Sequence, residues 1–172
     1  SMPFGTERNT EILSRTMALW GGRAVVARGW GGIDPKRLPG SVFPLLEKAP
    51  HDKLFPLMGA VVHHGGAGTT AAGLTAGKPS LAVPQTVDQP FWAARIHALG
   101  CGPAPIPLKA MTPERLAAAL RDLSANVGYA EKAAALGVAL RAEDGTGNAV
   151  REIERIMARA PRTTPAIPAS AP

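Results

Sequence analysis

The stretch His63-His64-Gly65-Gly66-Ala67-Gly68-Thr69-Thr70 decides the fold of this chain. It follows a short apolar run at residues 60–62 and precedes small residues at 71–76, which are typical of a helix. This order predicts a strand, a glycine loop and a helix. Glycines let the backbone approach an anion closely, and the N–H groups and positive dipole end of a helix start attract one. We therefore expect a phosphate group at this loop.

Alternating strands and helices indicate an α/β fold. Apolar runs predict strands at residues 24–27, 41–46, 60–63 and 80–83, and 102–107 is predicted as a short edge segment broken by prolines. Helices are predicted at residues 6–20, 69–77, 89–99, 112–123, 130–141 and 148–160. The alternation predicts a Rossmann-like parallel sheet with helices on both faces. Because the first predicted element is a helix, we expect the first strand of such a fold to be missing. Residues 1–160 are predicted as one domain and 161–172 as a disordered, proline-rich tail.

A second polar segment, Asp88-Gln89-Pro90, comes shortly after the predicted strand at 80–83. Ligands of parallel α/β sheets bind beyond the carboxyl ends of the strands. The glycine loop and this segment both follow such ends, so we expect them to line one crevice. A nucleotide diphosphate on the loop and a sugar at Asp88 and Gln89 would fit that arrangement.

Composition limits the function classes. Of 172 residues, 45% are apolar, enough for a core, and the lone cysteine, Cys101, allows no internal disulfide, as is usual in a reducing cytoplasm. No apolar run reaches the roughly 18–20 residues of a membrane span. The net charge of +6 suits an anionic ligand or peripheral contact with anionic lipids. With 5% aromatics and no basic block, we expect no nucleic-acid partner, and no Cys/His spacing predicts a metal site.

Two other types of glycine-rich nucleotide loop share features with this one. A Walker loop requires G-x-x-x-x-G-K-[ST], but Gly77-Lys78 is followed by Pro79. Residues 66–71 do match G-x-G-x-x-A, with Asp88 twenty residues past Gly68. A nicotinamide-dependent oxidoreductase domain therefore stays open as an alternative, as does a nucleotide-sugar-binding module without catalysis.

Residues 63–79 together with 84–92 resemble the C-terminal, donor-binding half of a GT-B UDP-glycosyltransferase. The resemblance is greatest to the sterol and lipid glucosyltransferases and to the antibiotic glycosyltransferases, and it extends to residues 28–32, 50–56 and 100–107. The chain departs from plant relatives at residues 47–50, which lack their uracil-stacking tryptophan, and at Ala72, where they carry a ribose-binding glutamate.

The resemblance implies a role for each matching residue. Asp88 and Gln89 would bind donor-sugar hydroxyls, and Pro50 and His51 would lie against the nucleoside. Ser1 and Trp30 are further candidates. The diphosphate would be held by His64, Gly66, Ala67, Gly68, Thr69 and Thr70.

The resemblance also implies a reaction, the inverting transfer of glucose or a similar hexose from its UDP donor to a hydroxyl of a sterol-like or lipid acceptor. The family's catalytic base is a histidine of the N-terminal acceptor domain, and no histidine here matches it. We therefore expect no catalytic residue in this chain and little transfer without that domain or a partner chain, as in a split transferase. No cofactor and no metal are expected, and a homodimer is a further candidate assembly.

Other features have simpler interpretations. His63 is interpreted as the end of a strand with its ring in the core, Phe91 and Trp92 as anchors of their helix, and Asp88 as a cap of that helix compatible with sugar binding.

Overall fold

The computed structural model describes residues 6–27, 33–45 and 49–159. Its strands are β1 (Ala24–Ala27), β2 (Val42–Leu45), β3 (Val61–His63) and β4 (Ser80–Ala82). Its helices are α1 (Thr6–Trp20), α2 (His51–Leu54), α3 (Ala67–Thr75), α4 (Gln89–Ala98), α5 (Pro113–Ala125), α6 (Val127–Ala142) and α7 (Gly145–Arg159), with short 3-10 turns at Pro35–Arg37, Phe55–Leu57 and Leu108–Ala110. The α/β prediction is confirmed. Ser1, Trp30 and the predicted tail lie outside the described residues.

The capping residues explain why the predicted start of α5 is right and those of α6 and α7 are wrong. Thr112 caps α5, its hydroxyl accepting the N–H of Arg115 at 3.3 Å, as predicted. Helix α6 starts three residues earlier than predicted, after Asn126, whose side chain accepts the N–H of Gly128 at 3.1 Å. Helix α7 likewise starts after Asp144, which accepts the N–H of Gly147 at 3.0 Å. In both helices the apolar pattern begins after the polar cap residue. The starts of α6 and α7 predicted from that pattern are therefore three residues too late.

The strands are parallel, but among the described residues they pair as two two-stranded sheets rather than the single sheet predicted. Strand β1 pairs with β2, and β3 pairs with β4 with His63 opposite Ala82. Past the strand ends the N–H of Val83 donates to the carbonyl of His63 at 2.8 Å. The predicted edge segment runs along β4, where the N–H of Ile106 donates to the carbonyl of Ala82 at 3.1 Å.

Helices cover both faces of β4, because alternate side chains of a strand point to opposite sides. Leu81, together with Val83 just past the strand, packs with apolar residues of α1 and α5. Ala82 packs on the other side with Leu74 of α3, Ile96 of α4 and further small residues. These two clusters fix β4 and so determine where the polar segments that follow β3 and β4 emerge.

The chain divides after Leu140 into two compact units. The second unit contains α7, whose apolar side chains Val150, Ile153, Ile156 and Met157 are all exposed. No helix within the described part of the chain is both long and apolar enough to cross a bilayer.

Candidate functional site

The glycine loop lies between the end of β3 and the start of α3. Gly66 is the N-cap residue of α3, with an extended backbone (φ −64°, ψ 145°) and no side-chain cap. The N–H groups of the first turn therefore have no capping side chain, and they add to the positive end of the helix dipole. Helix α3 has nine residues, and its uncapped start is the place where the sequence predicts an anion site.

Gly65 brings the glycine loop against the start of α4. Its φ of 87° lies in the left-handed region that favours glycine. A Cβ built on Gly65 would lie 3.0 Å from the carbonyl oxygen of Gln89 and 3.6 Å from its Cβ. The loop after β3 and the polar segment after β4 are therefore in contact, as the single predicted crevice requires.

His64 and the two threonines differ in accessibility. The half-buried His64 folds back over the loop, so that a Cβ on Gly66 would overlap its Nε2. Thr69 is half-buried, whereas Thr70 is only 2% exposed and its hydroxyl has no hydrogen-bond partner among the described residues. A buried hydroxyl without a partner costs about 1–3 kcal/mol. Thr70 therefore holds an unused hydrogen-bonding group beneath the start of α3.

His63 is a buried neutral histidine next to the loop, which confirms its interpretation as a strand-ending core residue. Its Nδ1 accepts the N–H of Gly65 at 3.0 Å, so the ring proton lies on Nε2, which has no partner among the described residues. Burial, and then the charges of His64 and His51, lower the pKa of His63 from 6.5 to about 4. His63 thus stays uncharged at neutral pH and supports the backbone of the loop.

The predicted nucleoside residues lie near the same loop. Pro50 occupies the N-cap position of the short helix α2, and His51 begins that helix. The His51 ring stacks on Phe55 with centroids 4.4 Å apart and planes within 12°. Helix α2 packs against α3, and the charge of His51 is felt at His63. The structure therefore brings His51 towards the glycine loop.

Asp88 and Gln89 form the predicted sugar site at the start of α4. Asp88 is not the side-chain cap that we expected, because its backbone is already helical (φ −84°, ψ −10°) and its carboxylate accepts the indole N–H of Trp92 at 2.9 Å instead. The Gln89 side-chain oxygen accepts the N–H of Gln85 at 2.8 Å and that of Thr86 at 3.3 Å. Both polar side chains are thus held by hydrogen bonds within the chain.

Two residues of this segment were missed or misinterpreted from the sequence. Val87 has φ 56°, a left-handed conformation that is uncommon for a β-branched residue, and no sequence pattern predicts it. Phe91 is 64% exposed, so its interpretation as a helix anchor is wrong. The position of Trp92, one helical turn after Asp88, was the available signal for their hydrogen bond.

Comparison with known proteins gives the family. Residues 28–156 match the family described as "Erythromycin biosynthesis protein CIII-like, C-terminal domain". The sterol 3-beta-glucosyltransferase UGT80A2 of Arabidopsis thaliana is 42% identical over 84% of this chain and 23% of its own length. The O-mycaminosyltylonolide 6-deoxyallosyltransferase of Streptomyces fradiae is 44% identical over 68% of this chain and 28% of its own length. The chain therefore spans about a quarter of these relatives.

Solved structures agree with this assignment. The glycotransferase of kitacinnamycin matches with a TM-score of 0.75 and 29% identity, over 88% of this chain and 40% of that one. The glycosyltransferase VinC, solved in complex with DTDP, matches with a TM-score of 0.71 and 25% identity, over 87% of this chain and 37% of that one. This chain has the fold of a GT-B glycosyltransferase C-terminal domain and belongs to the family of erythromycin biosynthesis protein CIII-like C-terminal domains.

Proposed function

We propose that this chain is the donor-binding part of a glycosyltransferase and binds UDP-glucose or a similar UDP-hexose. The observation that carries the proposal is the contact between Gly65 and the backbone of Gln89. It joins a loop suited to a diphosphate to a polar turn suited to sugar hydroxyls. The names of the sterol glucosyltransferase relatives support glucose as the sugar.

The diphosphate is assigned to the start of α3. The first-turn N–H groups and the positive end of the helix dipole attract negative charge, and the His64 ring beside Gly66 can add a donor. These groups would stabilise the charge that grows on the diphosphate as the sugar leaves. The proposal gives this role to the protein's own donors and requires no metal ion.

The nucleoside is assigned to the side of the loop next to α2. His51 and Phe55 form a stacked pair, and the exposed His51 and Pro50 can contact a flat base. The VinC complex contains DTDP, a thymidine nucleotide, so discrimination between uracil and thymine is part of the test.

The reaction proposed is inverting transfer to a hydroxyl of a sterol-like or lipid acceptor. A general base must remove the proton of that hydroxyl. We assign the base and the acceptor site to an N-terminal domain or partner chain, because this chain spans about a quarter of the relatives that carry the activity. By itself the chain is then expected to bind donor without transferring sugar. The family assignment gives the oxidoreductase alternative no support, so NAD serves as a negative control.

A thermal-shift titration with UDP, UDP-glucose, dTDP and NAD tests the proposal. Ligand at about a hundredfold excess over Kd adds roughly 2.7 kcal/mol, which is about 5–10 °C in Tm for this chain length. We expect UDP and UDP-glucose to produce the shift, His64→Ala to remove it, and Asp88→Ala to reduce only that of UDP-glucose. The matched control is His97→Ala, which removes an exposed histidine of α4, away from the glycine loop. A shift with NAD alone would contradict the proposal.

A further inference from the structure

The turn that carries Asp88 and Gln89 is held by hydrogen bonds within the chain and contains one strained residue. The indole N–H of Trp92 donates to Asp88 Oδ2 at 2.9 Å. The side-chain oxygen of Gln89 accepts two backbone N–H groups from the preceding residues. Val87 is held in a left-handed conformation although its side chain is 86% exposed. Such strain persists only where the surroundings determine the backbone, and it concentrates at functional sites.

These bonds decide which polar atoms remain for a ligand. Backbone N–H groups can only donate, so the Gln89 atom that meets them is its oxygen, and its amide nitrogen carries no hydrogen bond to the described residues. One carboxylate oxygen of Asp88 is occupied by Trp92, and the other carries no hydrogen bond from the described residues. The turn therefore offers one acceptor, on Asp88, and one donor, on Gln89, at consecutive residues, and two hydroxyl groups of one sugar could use both.

Trp92 can fix this arrangement because its ring is itself supported. It is half-buried, and it meets the Phe91 ring edge-on with centroids 5.0 Å apart at 81°. Asp88, by contrast, is exposed, and its side chain has no other hydrogen bond from the described part of the chain. Without the indole N–H the carboxylate would sample several rotamers.

We propose that Trp92 is a positioning residue for the donor sugar, which holds the Asp88 carboxylate in the orientation that a pair of neighbouring hydroxyls requires. The proposal rests on the proposed function, since it takes Asp88 as the sugar-binding residue. The new element is that preference for the sugar, as distinct from affinity for the nucleotide, is assigned to Trp92, a residue that need not touch the ligand.

Calorimetric titration of the chain with UDP and with UDP-glucose separates the preference for the sugar from the affinity for the nucleotide. Trp92→Phe keeps an aromatic ring and removes the N–H. We expect the ratio of UDP-glucose to UDP affinity to fall about fivefold, as for one lost hydrogen bond, with the affinity for UDP unchanged. His97→Ala, further along α4, leaves both the indole N–H and the Phe91 ring in place and should preserve the ratio.

A rescue series separates positioning from packing. Trp92→Gln supplies an amide donor four residues after Asp88, a spacing at which Gln and Asp side chains can bond on a helix, whereas Trp92→Leu supplies none. We expect Trp92→Gln to retain more of the UDP-glucose preference than Trp92→Leu. Equal losses in the two variants, or an unchanged ratio in Trp92→Phe, would overturn the proposal.

The same titrations distinguish failure of the two proposals. If the wild-type chain binds neither nucleotide, the proposed function fails and the role of Trp92 fails with it. If UDP binds but Asp88→Asn leaves the preference for UDP-glucose unchanged, the sugar role of Asp88 and that of Trp92 are overturned while the diphosphate site stands. If Asp88→Asn lowers the preference and Trp92→Phe does not, only the role of Trp92 is wrong.

Discussion

His63 Nδ1 accepts the backbone N–H of Gly65 at 3.0 Å, which ties the end of β3 to the first turn of the glycine loop. The N–H belongs to a buried residue with a φ of 87°, which lies against the start of α4. The first histidine of the pair therefore acts on the protein backbone, and only the second, His64, is placed over the loop where a ligand would bind.

Replacing His63 tests this support. His63→Leu leaves the buried N–H of Gly65 without an acceptor, and we expect a loss of about 1–3 kcal/mol in the free energy of unfolding. His63→Asn places an oxygen the same number of bonds from Cα as Nδ1 and should lose less. Urea denaturation measures both variants. Equal losses would show that the bond to Gly65 contributes nothing.

His63 also predicts a dependence of stability on pH. Its folded pKa of about 4 lies below the unfolded value of 6.5, so the unfolded chain binds the proton first as pH falls. The contribution is complete above pH 6.5, and about 3 kcal/mol is lost as pH falls towards 4. We expect His63→Asn to have a flatter dependence than wild type between these values. A wild-type slope in His63→Asn would contradict the assignment of this pH dependence to His63.

A substitution at Gly68 is expected to affect stability and ligand binding in opposite directions. It lies in the first turn of α3, and a Cβ built there would meet nothing within 4 Å. Alanine stabilises a helix by about 0.5–1 kcal/mol over glycine, so Gly68→Ala should raise the free energy of unfolding. We expect it also to weaken UDP binding, because the added methyl group occupies space that the diphosphate needs. Unchanged affinity for UDP would contradict close approach of the ligand at this position.

Gly102 is required for packing instead. A Cβ there would overlap the carbonyl oxygen of Ser80, and backbone atoms cannot move aside as a flexible side chain can. We expect Gly102→Ala to destabilise the chain by about 1–3 kcal/mol or more in chemical denaturation. Gly59→Ala is the matched control, since a Cβ there meets nothing within 4 Å. A loss no larger than that of the control would show that β4 tolerates displacement.

Local features of this fold could be predicted from the sequence, and long-range features could not. The glycine loop and the Thr112 cap depend on neighbouring residues, and both are present. The parallel direction of β3 and β4 is a long-range feature, but it follows from the strand–helix–strand order that the sequence shows. The contact between Gly65 and Gln89 could be expected only as a shared crevice, because its distance depends on how β3 packs beside β4.

The backbone conformation of Val87 and the orientations of the side chains could not be predicted from the sequence. The left-handed backbone at Val87 contradicts the preference of its residue type, so propensity points away from it. The fold of His64 over Gly66 and the bond from Trp92 to Asp88 depend on rotamers that spacing permits but does not select. The site residues themselves stay predictions until a ligand is observed.

The diphosphate site is tested most directly by an amide NMR titration of the isotope-labelled chain with UDP, and with uridine as the control without phosphate. We predict that UDP moves the amide signals of Gly66, Gly68 and Thr69 most, because the first-turn N–H groups of α3 would donate to the diphosphate. Uridine should leave those signals in place and move only signals near His51. Equal shifts at the start of α3 with both ligands, or none there with UDP, would contradict the diphosphate site.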